Sequence, residues 1–449
     1  MADRVTVTSL DAVDVDLAAG GDRILKLQGD PQGSPSFQGL SGSLVWAGST
    51  HIVSFRSTDY PAAPEGDPRT LPPSWYEGAY AATADTVTAG AVSLGFSVSW
   101  TFDLRGRAST STYVSQGDDA LWAGAEIVTL LSQDPTVGFS LDLGGGRDRV
   151  TGLDGDDMFR GQGGADRLFG GKGDDDLIGN AGADRLKGGE GDDTLTGGKG
   201  HDDLRGEDGD DGIYGGGGKD EIFGGLGADL LHGDAGDDQL YADEGADLLR
   251  GGDGDDQLYG EWGRDDLFGE EGDDLIFGGR GRDLARAGAG DDTVMGGGGA
   301  DRLNGDRGAD VVHGGAGGDT VAGGGGDDVL YGDAGDDALW GMKGDDILRG
   351  GGGADELMSS KGLDRMFGGA GGDLFMGLKE GGMGRSIVRD FTAADALLFD
   401  RARDFRDFED FLDRAAETGR GVKIDLDRGW MLLKGVRLDE ISEDQVDWI

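Results

Sequence analysis

Aspartate recurs at every ninth position from Asp148 to Asp373, 26 times without an insertion or deletion. Carboxylates at so regular a spacing suit one kind of chemistry. Stacked about 5 Å apart, they repel one another unless a cation lies between them. The chain has no Cys and only four His, so the other ligands on offer are backbone carbonyls. Carboxylate and carbonyl oxygens favour a hard cation with about six to eight oxygen neighbours, and calcium is the fit.

The aspartates are the sixth residue of a nonapeptide, G-G-x-G-x-D-x-U-x with U large and apolar, that runs from Leu143 to Met376. Position 4 is Gly in every copy, from Gly146 to Gly371, and position 8 is apolar from Val150 to Phe375, with only Ala285 small. Glycines at positions 1, 2 and 4 permit the positive φ that a tight six-residue turn requires. The x-U-x triplets, such as Arg167-Leu168-Phe169 and Gln239-Leu240-Tyr241, alternate as a three-residue strand with U inward. One apolar side chain does not offset the ordering of nine residues at about 1–2 kcal/mol each, so the units must stack. Two units make an 18-residue coil, with odd and even repeats on opposite sides and the aspartates in two columns. Position 5 supports this period. Even repeats carry Asp156, Asp174, Asp192 and Asp210 and then turn to Ala228, Ala246, Arg264 and Arg282. Odd repeats do the reverse, from Arg147, Ala165, Ala183, His201 and Lys219 to Asp237, Asp255, Asp273 and Asp291. At position 9, Phe223, Tyr241, Tyr259 and Phe277 recur every 18 residues and are expected to stack as an outward ladder.

This pattern resembles the repeat of the RTX family of secreted calcium-binding proteins, over just over half the chain. The resemblance implies an all-β fold, a long right-handed parallel β-roll of about 13 coils with Ca²⁺ held between successive turns. It implies side-chain ligands at Asp148, Asp157, Asp166, Asp175, Asp184, Asp193, Asp202, Asp211, Asp220, Asp229, Asp238, Asp247 and Asp256. The second half of the array adds Asp265, Asp274, Asp283, Asp292, Asp301, Asp310, Asp319, Asp328, Asp337, Asp346, Asp355, Asp364 and Asp373. Turn carbonyls would complete each shell. Two columns of 13 turns leave room for at most about 24 Ca²⁺ ions. Position 2 departs from Gly at Gln162, Glu207, Glu261, Glu270 and Met342, residues that disfavour a left-handed conformation. Position 1 departs at Leu143, Ala242, Ala287 and Ser359. Sites beside Ser359-Ser360-Lys361 and at the two ends are expected to be weak or empty.

The formal charge of −49, from 40 basic and 89 acidic residues, is close to what about 24 divalent ions would neutralise. Without metal the array should repel itself apart. Nucleic acid is not a partner for such a chain, nor is an anionic membrane without bridging calcium. No run of 18 apolar residues exists, so no transmembrane insertion is expected. The first residues lack the apolar stretch of a secretory signal, while a calcium-dependent fold belongs where calcium is plentiful. The expected location is therefore secreted, extracellular or at the cell surface. By resemblance, the export partner is a type I secretion apparatus that reads an uncleaved signal in the tail.

The array separates two flanks. Residues 1–142 read as an all-β module covering the open N-terminal edge of the roll, with alternating segments Val5–Thr8, Arg23–Leu27, His51–Phe55, Val92–Phe102 and Val137–Leu143. Five prolines mark a loop over Asp59–Ser74, and Gly117–Trp122 is a stray out-of-phase repeat. Residues 377–449 read as a cap. After a break at Lys379-Glu380, Arg385–Asp400 is a strand, turn and strand, and Asp404–Thr418 a helix with Phe405, Phe408, Phe411, Leu412 and Ala415 on one face. Strands are expected at Val422–Leu426 and Trp430–Leu433, and the chain closes on Val446–Ile449.

No familiar catalytic motif stands in the sequence. None of His51, His201, His232 and His313 is followed by Glu, which excludes the HExxH of zinc proteases. Gly39-Leu40-Ser41-Gly42-Ser43 fails the lipase pattern G-x-S-x-G at its last position. The expected function is a calcium-folded structural or interaction protein, such as a matrix, adhesin or surface-layer component. It would meet itself or a cell-surface partner through the N-terminal module or the aromatic face. The alternative is an exoenzyme, a hydrolase whose catalytic module is residues 1–142.

Overall fold

The computed structural model describes the backbone of nine strands within residues 3–142. Beyond them it describes residues 143–377 except 144, and 384–399, 405, 407–426 and 429–448. The proline-rich loop, the stray repeat at Gly117–Trp122 and the break at Lys379-Glu380 lie outside these residues. Two compact units, Met1–Ile222 and Phe223–Ile449, are described in turn.

Both units are runs of parallel β-solenoid. In the first, Leu168 is registered with Leu186 and Leu177 with Leu195, a step of 18 residues. Leu240 with Leu258 and Val312 with Leu330 repeat that step in the second. Odd and even repeats supply two separate sheets. Within each unit the position-8 side chains lie between the two sheets, from Val150 to Ile222 in the first and from Leu231 to Phe375 in the second, almost all with no exposed surface. The roll admits one large inward side chain per strand, the next inward position being Gly or a small residue such as Ala242, which is why U is large and its two neighbours are free to vary.

Strands are longer than the three-residue triplet. Arg167–Lys172 and Arg185–Glu190 carry the ladder on through positions 1–3 of the following repeat, leaving positions 4–6 to turn the chain. Consecutive coils are identical in path, so their turn peptides also meet. Lys172 N–H donates to the Leu153 carbonyl at 2.8 Å, and Gly173 N–H to that of Glu190 at 2.8 Å.

Five of the nine N-terminal strands overlap the segments read from alternation; Ser41–Val45, Tyr80–Thr83, Ala108–Ser115 and Glu126–Leu130 are additional. The parallel ladder continues upstream of the repeats. Val128 is registered with Val150 and Leu141 with Phe159, so Glu126–Leu130 and Phe139–Asp142 lie where the preceding coil would.

The second unit ends in a cap that keeps the coil path for two further turns. Gly384–Val388 and Ala396–Phe399 pair with the last repeats, and Gly429–Lys434 and Val446–Trp448 pair with them in turn. The helix is shorter than its periodicity predicts. It spans only Phe408–Arg414, with Asp407 capping its start by accepting from Asp410 N–H. Ala415–Thr418 leaves the helix to form an antiparallel hairpin with Gly421–Leu426, because that pairing satisfies backbone groups the last helical turn could not. Phe405 and Phe411 pack on Phe399, while Leu412 is exposed.

Candidate metal centre

All 26 position-6 aspartates are only 0–3% exposed, although a carboxylate is seldom buried without a partner. Each takes the same place in its coil. The Oδ1 of Asp166 accepts Asp148 N–H at 2.8 Å, and Asp193 accepts from Asp175 at 2.7 Å. In the second unit Asp265 accepts from Asp247 at 3.0 Å and Asp373 from Asp355 at 3.1 Å. Oδ1 therefore ties each coil to the one before it.

Oδ2 is different. From Asp166 to Asp202 in the first unit, and from Asp247 to Asp355 in the second, it is buried and accepts no hydrogen bond within the described residues. Position 1 must be small to leave it room. A Cβ at Gly179 would lie 2.4 Å from Asp184 Oδ2 and 2.7 Å from the Gly197 carbonyl oxygen, and Gly278 faces Asp283 and Gly296 in the same way. Two acceptors thus converge with no donor between them. Farther round the turn, a Cβ at Gly182 would fall on the Gly164 carbonyl, which points along the stack. Each level of a column offers a carboxylate oxygen and outward-turned carbonyls, an all-oxygen set that suits a hard cation. Among the described residues no three His, Cys, Asp or Glu side chains converge closely enough to hold a metal ion by themselves, so other oxygens, the turn carbonyls among them, would complete any shell.

Burial pushes these carboxyls well above the ordinary value of 3.8, helped by the charges of column neighbours and opposed by the backbone hydrogen bond. Asp175 rises to about 8, with Asp193 and Asp157 adding their charge to the effect of burial. Asp346 rises to about 8, Asp265 and Asp274 to about 7, and Asp166 and Asp328 to about 6. Such groups resist ionising in place unless a positive charge stands between them.

The departures from the repeat have visible consequences. All ten described non-glycine residues with positive φ sit at position 2, including Gln162 at 71°, Glu207 at 85°, Glu261 at 65°, Glu270 at 82° and Met342 at 69°. The turn forces the left-handed conformation on residues that disfavour it. Leu153 and Ser360, also at position 2, escape it. Ser359 at position 1 is buried and shares a 2.5 Å hydrogen bond with Ser386.

Ser386 is registered with Asp364 and takes the next place in that column. The other column gains a residue the sequence reading missed. Asp395 is 3% exposed, and its Oδ1 accepts Asp373 N–H at 3.0 Å across 22 residues rather than 18. Its Oδ2 accepts Thr392 N–H at 2.6 Å, so this carboxylate is satisfied on both sides and ends the file. The tail D-x-U-x survives as Asp395-Ala396-Leu397-Leu398 without its glycines, which is the signal that could have found it.

Comparison with known proteins agrees with the geometry. The model of the RTX calcium-binding nonapeptide repeat matches seven segments that together span residues 142–375. Among solved structures, the extracellular lipase LipA from Serratia marcescens is similar at 13% identity, covering 81% of this chain and 82% of that one, with a TM-score of 0.18. No curated protein matches the chain. With more than half of its length built from these repeats, the chain belongs to the RTX calcium-binding nonapeptide-repeat family.

Proposed function

We propose that this is a secreted structural or interaction protein whose roll folds when external calcium enters the two aspartate columns. The observation that carries this reading is the set of buried Oδ2 atoms without a hydrogen bond, from Asp166 to Asp202 and from Asp247 to Asp355, several of them, such as Asp184, Asp265 and Asp283, beside a carbonyl oxygen of the next coil. Asp148 to Asp373 are the side-chain ligands in this reading, shared between successive levels, with at most about 24 ions in all. Ordering waits for metal because carboxylates at strand spacing repel, so the chain is unfolded where calcium is scarce and rigid where it is plentiful. Export unfolded through a type I secretion apparatus accords with that switch.

A role as a matrix, adhesin or surface-layer component is supported by one face of the second unit. The ladder Phe223–Tyr241–Tyr259–Phe277 stacks with centroids 4.8–5.0 Å apart and continues in register through Met295, His313 and Tyr331. Positions 7 and 9 of these strands, from Gln239 to Arg349, include no acid in a chain that has 89. Calcium titration followed by circular dichroism and calorimetry tests the reading. A β signal that rises with calcium, with many ions bound per chain, is expected. A signal indifferent to chelator would refute it.

A further inference from the structure

The first unit has two turn edges of opposite charge. Positions 1–5 of its odd repeats, which include Arg147, Lys199, His201 and Lys219, contain no acid at all. The matching positions of its even repeats carry Asp156, Asp174, Asp192 and Asp210.

Both edges are ordered as ladders. On the acidic edge the exposed carboxylates are fixed one per coil. Asp156 Oδ1 accepts Asp174 N–H at 3.1 Å, Asp174 accepts from Asp192 at 3.0 Å, and Asp192 accepts from Asp210 at 2.9 Å. On the basic side Arg149, Arg167 and Arg185 are exposed and in register on successive strands, beside Arg147 and a groove floored by column aspartates. Arg185 is committed to Asp203, with its Nε 2.7 Å from Oδ2. Among the described residues no ion pair involves Arg147, Arg149 or Arg167; Arg149 only lies over the Phe169 ring, at 5.6 Å. Like charges directly opposite on neighbouring strands cost stability, so this stripe calls for an anion as the columns call for a cation.

We infer that the arginine edge of the first unit docks on the aspartate edge of the first unit of a second copy. Both ladders repeat once per coil, at about 4.8 Å, so one arginine can meet one carboxylate at each level. The contact is heterologous, using different surfaces on the two chains, and so propagates into files rather than closing as a dimer. Net charges of −49 repel at long range, but added salt limits that repulsion to about a Debye length, leaving local complementarity to choose the contact. This deepens the structural role proposed above and rests on the calcium-folded state.

The test uses full-length protein in millimolar calcium, with circular dichroism reporting folding and sedimentation velocity reporting assembly. The wild type is expected to form concentration-dependent assemblies that strong salt disperses. Arg149→Glu with Arg167→Glu reverses two rungs of the arginine stripe, and Asp174→Lys with Asp192→Lys reverses two rungs of the aspartate ladder, so each variant sets like charges against each other at those levels. Each variant should fold with calcium and sediment as a monomer, and an equimolar mixture of the two should assemble again. Persistent assembly of the first variant would indicate calcium bridging between acidic edges and overturn the proposal. So would a wild type that stays monomeric while its β signal responds to calcium, or a mixture that fails to restore assembly. A β signal indifferent to calcium marks instead the failure of the functional reading beneath it.

Discussion

Positions 5 and 6 of the repeat place aspartates side by side in the chain and send them to opposite fates. Asp273 and Asp274 are neighbours in sequence, yet Asp273 is exposed and Asp274 is 2% exposed. Asp273 accepts Asp291 N–H from the following coil at 2.8 Å, whereas Asp274 accepts Asp256 N–H from the preceding one at 2.9 Å. The exposed carboxylate has water for its other oxygen; the buried one has a second acceptor for a neighbour. Residue type alone therefore does not set an aspartate's surroundings here. Direction and burial do.

The largest effect that could break this contrast is the response of the metal-free chain to pH. Folding raises many of the buried carboxyls above 3.8, Asp166 to about 6 and Asp175 to about 8. A folded value above the unfolded one means stability that is fully present below the unfolded value and lost as pH rises through the folded one. In chelator, the β signal should be stronger at about pH 5 than at about pH 8. With calcium the order reverses, because protons then compete for the ligands. A metal-free chain that folds better at the higher pH would remove the argument that buried charge drives the switch.

Next in size are substitutions in the columns. Asp265→Ala leaves Asp247 N–H without its acceptor and, in the proposed reading, removes a ligand shared by two adjacent levels. A loss of about 1–3 kcal/mol in a urea titration is expected, with two fewer calcium ions by calorimetry. Gly179→Ala should act more locally. Its Cβ presses on Asp184 Oδ2 and the Gly197 carbonyl, so one level is expected to weaken while the fold persists, as the natural Ala242 and Ala287 already suggest. The smallest effect belongs to the exposed edge. Asp273→Ala deletes one hydrogen bond to the next coil and should cost about 0.5–1.5 kcal/mol with calcium stoichiometry unchanged. Equal losses of calcium from Asp265→Ala and Asp273→Ala would dissolve the distinction between the two positions.

How much could be read in advance differs along the chain. The 18-residue coil was legible because Asp156, Asp174 and Asp192, or Tyr241 and Tyr259, repeat at that step, and a repeating chain meets the same neighbour at every level. Asp395 was not legible, since a 22-residue step hides it from a nine-residue frame. The helix was overestimated for a related reason. Periodicity places Phe411 correctly on the core side, but nothing local says that Ala415–Thr418 finds a better partner in Gly421–Leu426.

The sequence by itself determined the period, the two carboxylate columns and the apolar file, because in a solenoid each residue's neighbours are copies of itself one coil away. Only the tertiary structure decided which carboxylate oxygen is bonded and which is left over, where a column ends, and that Gln162 or Met342 must accept a left-handed backbone. Those outcomes depend on the direction in which atoms point between coils, and the order of residues along one coil does not contain that direction.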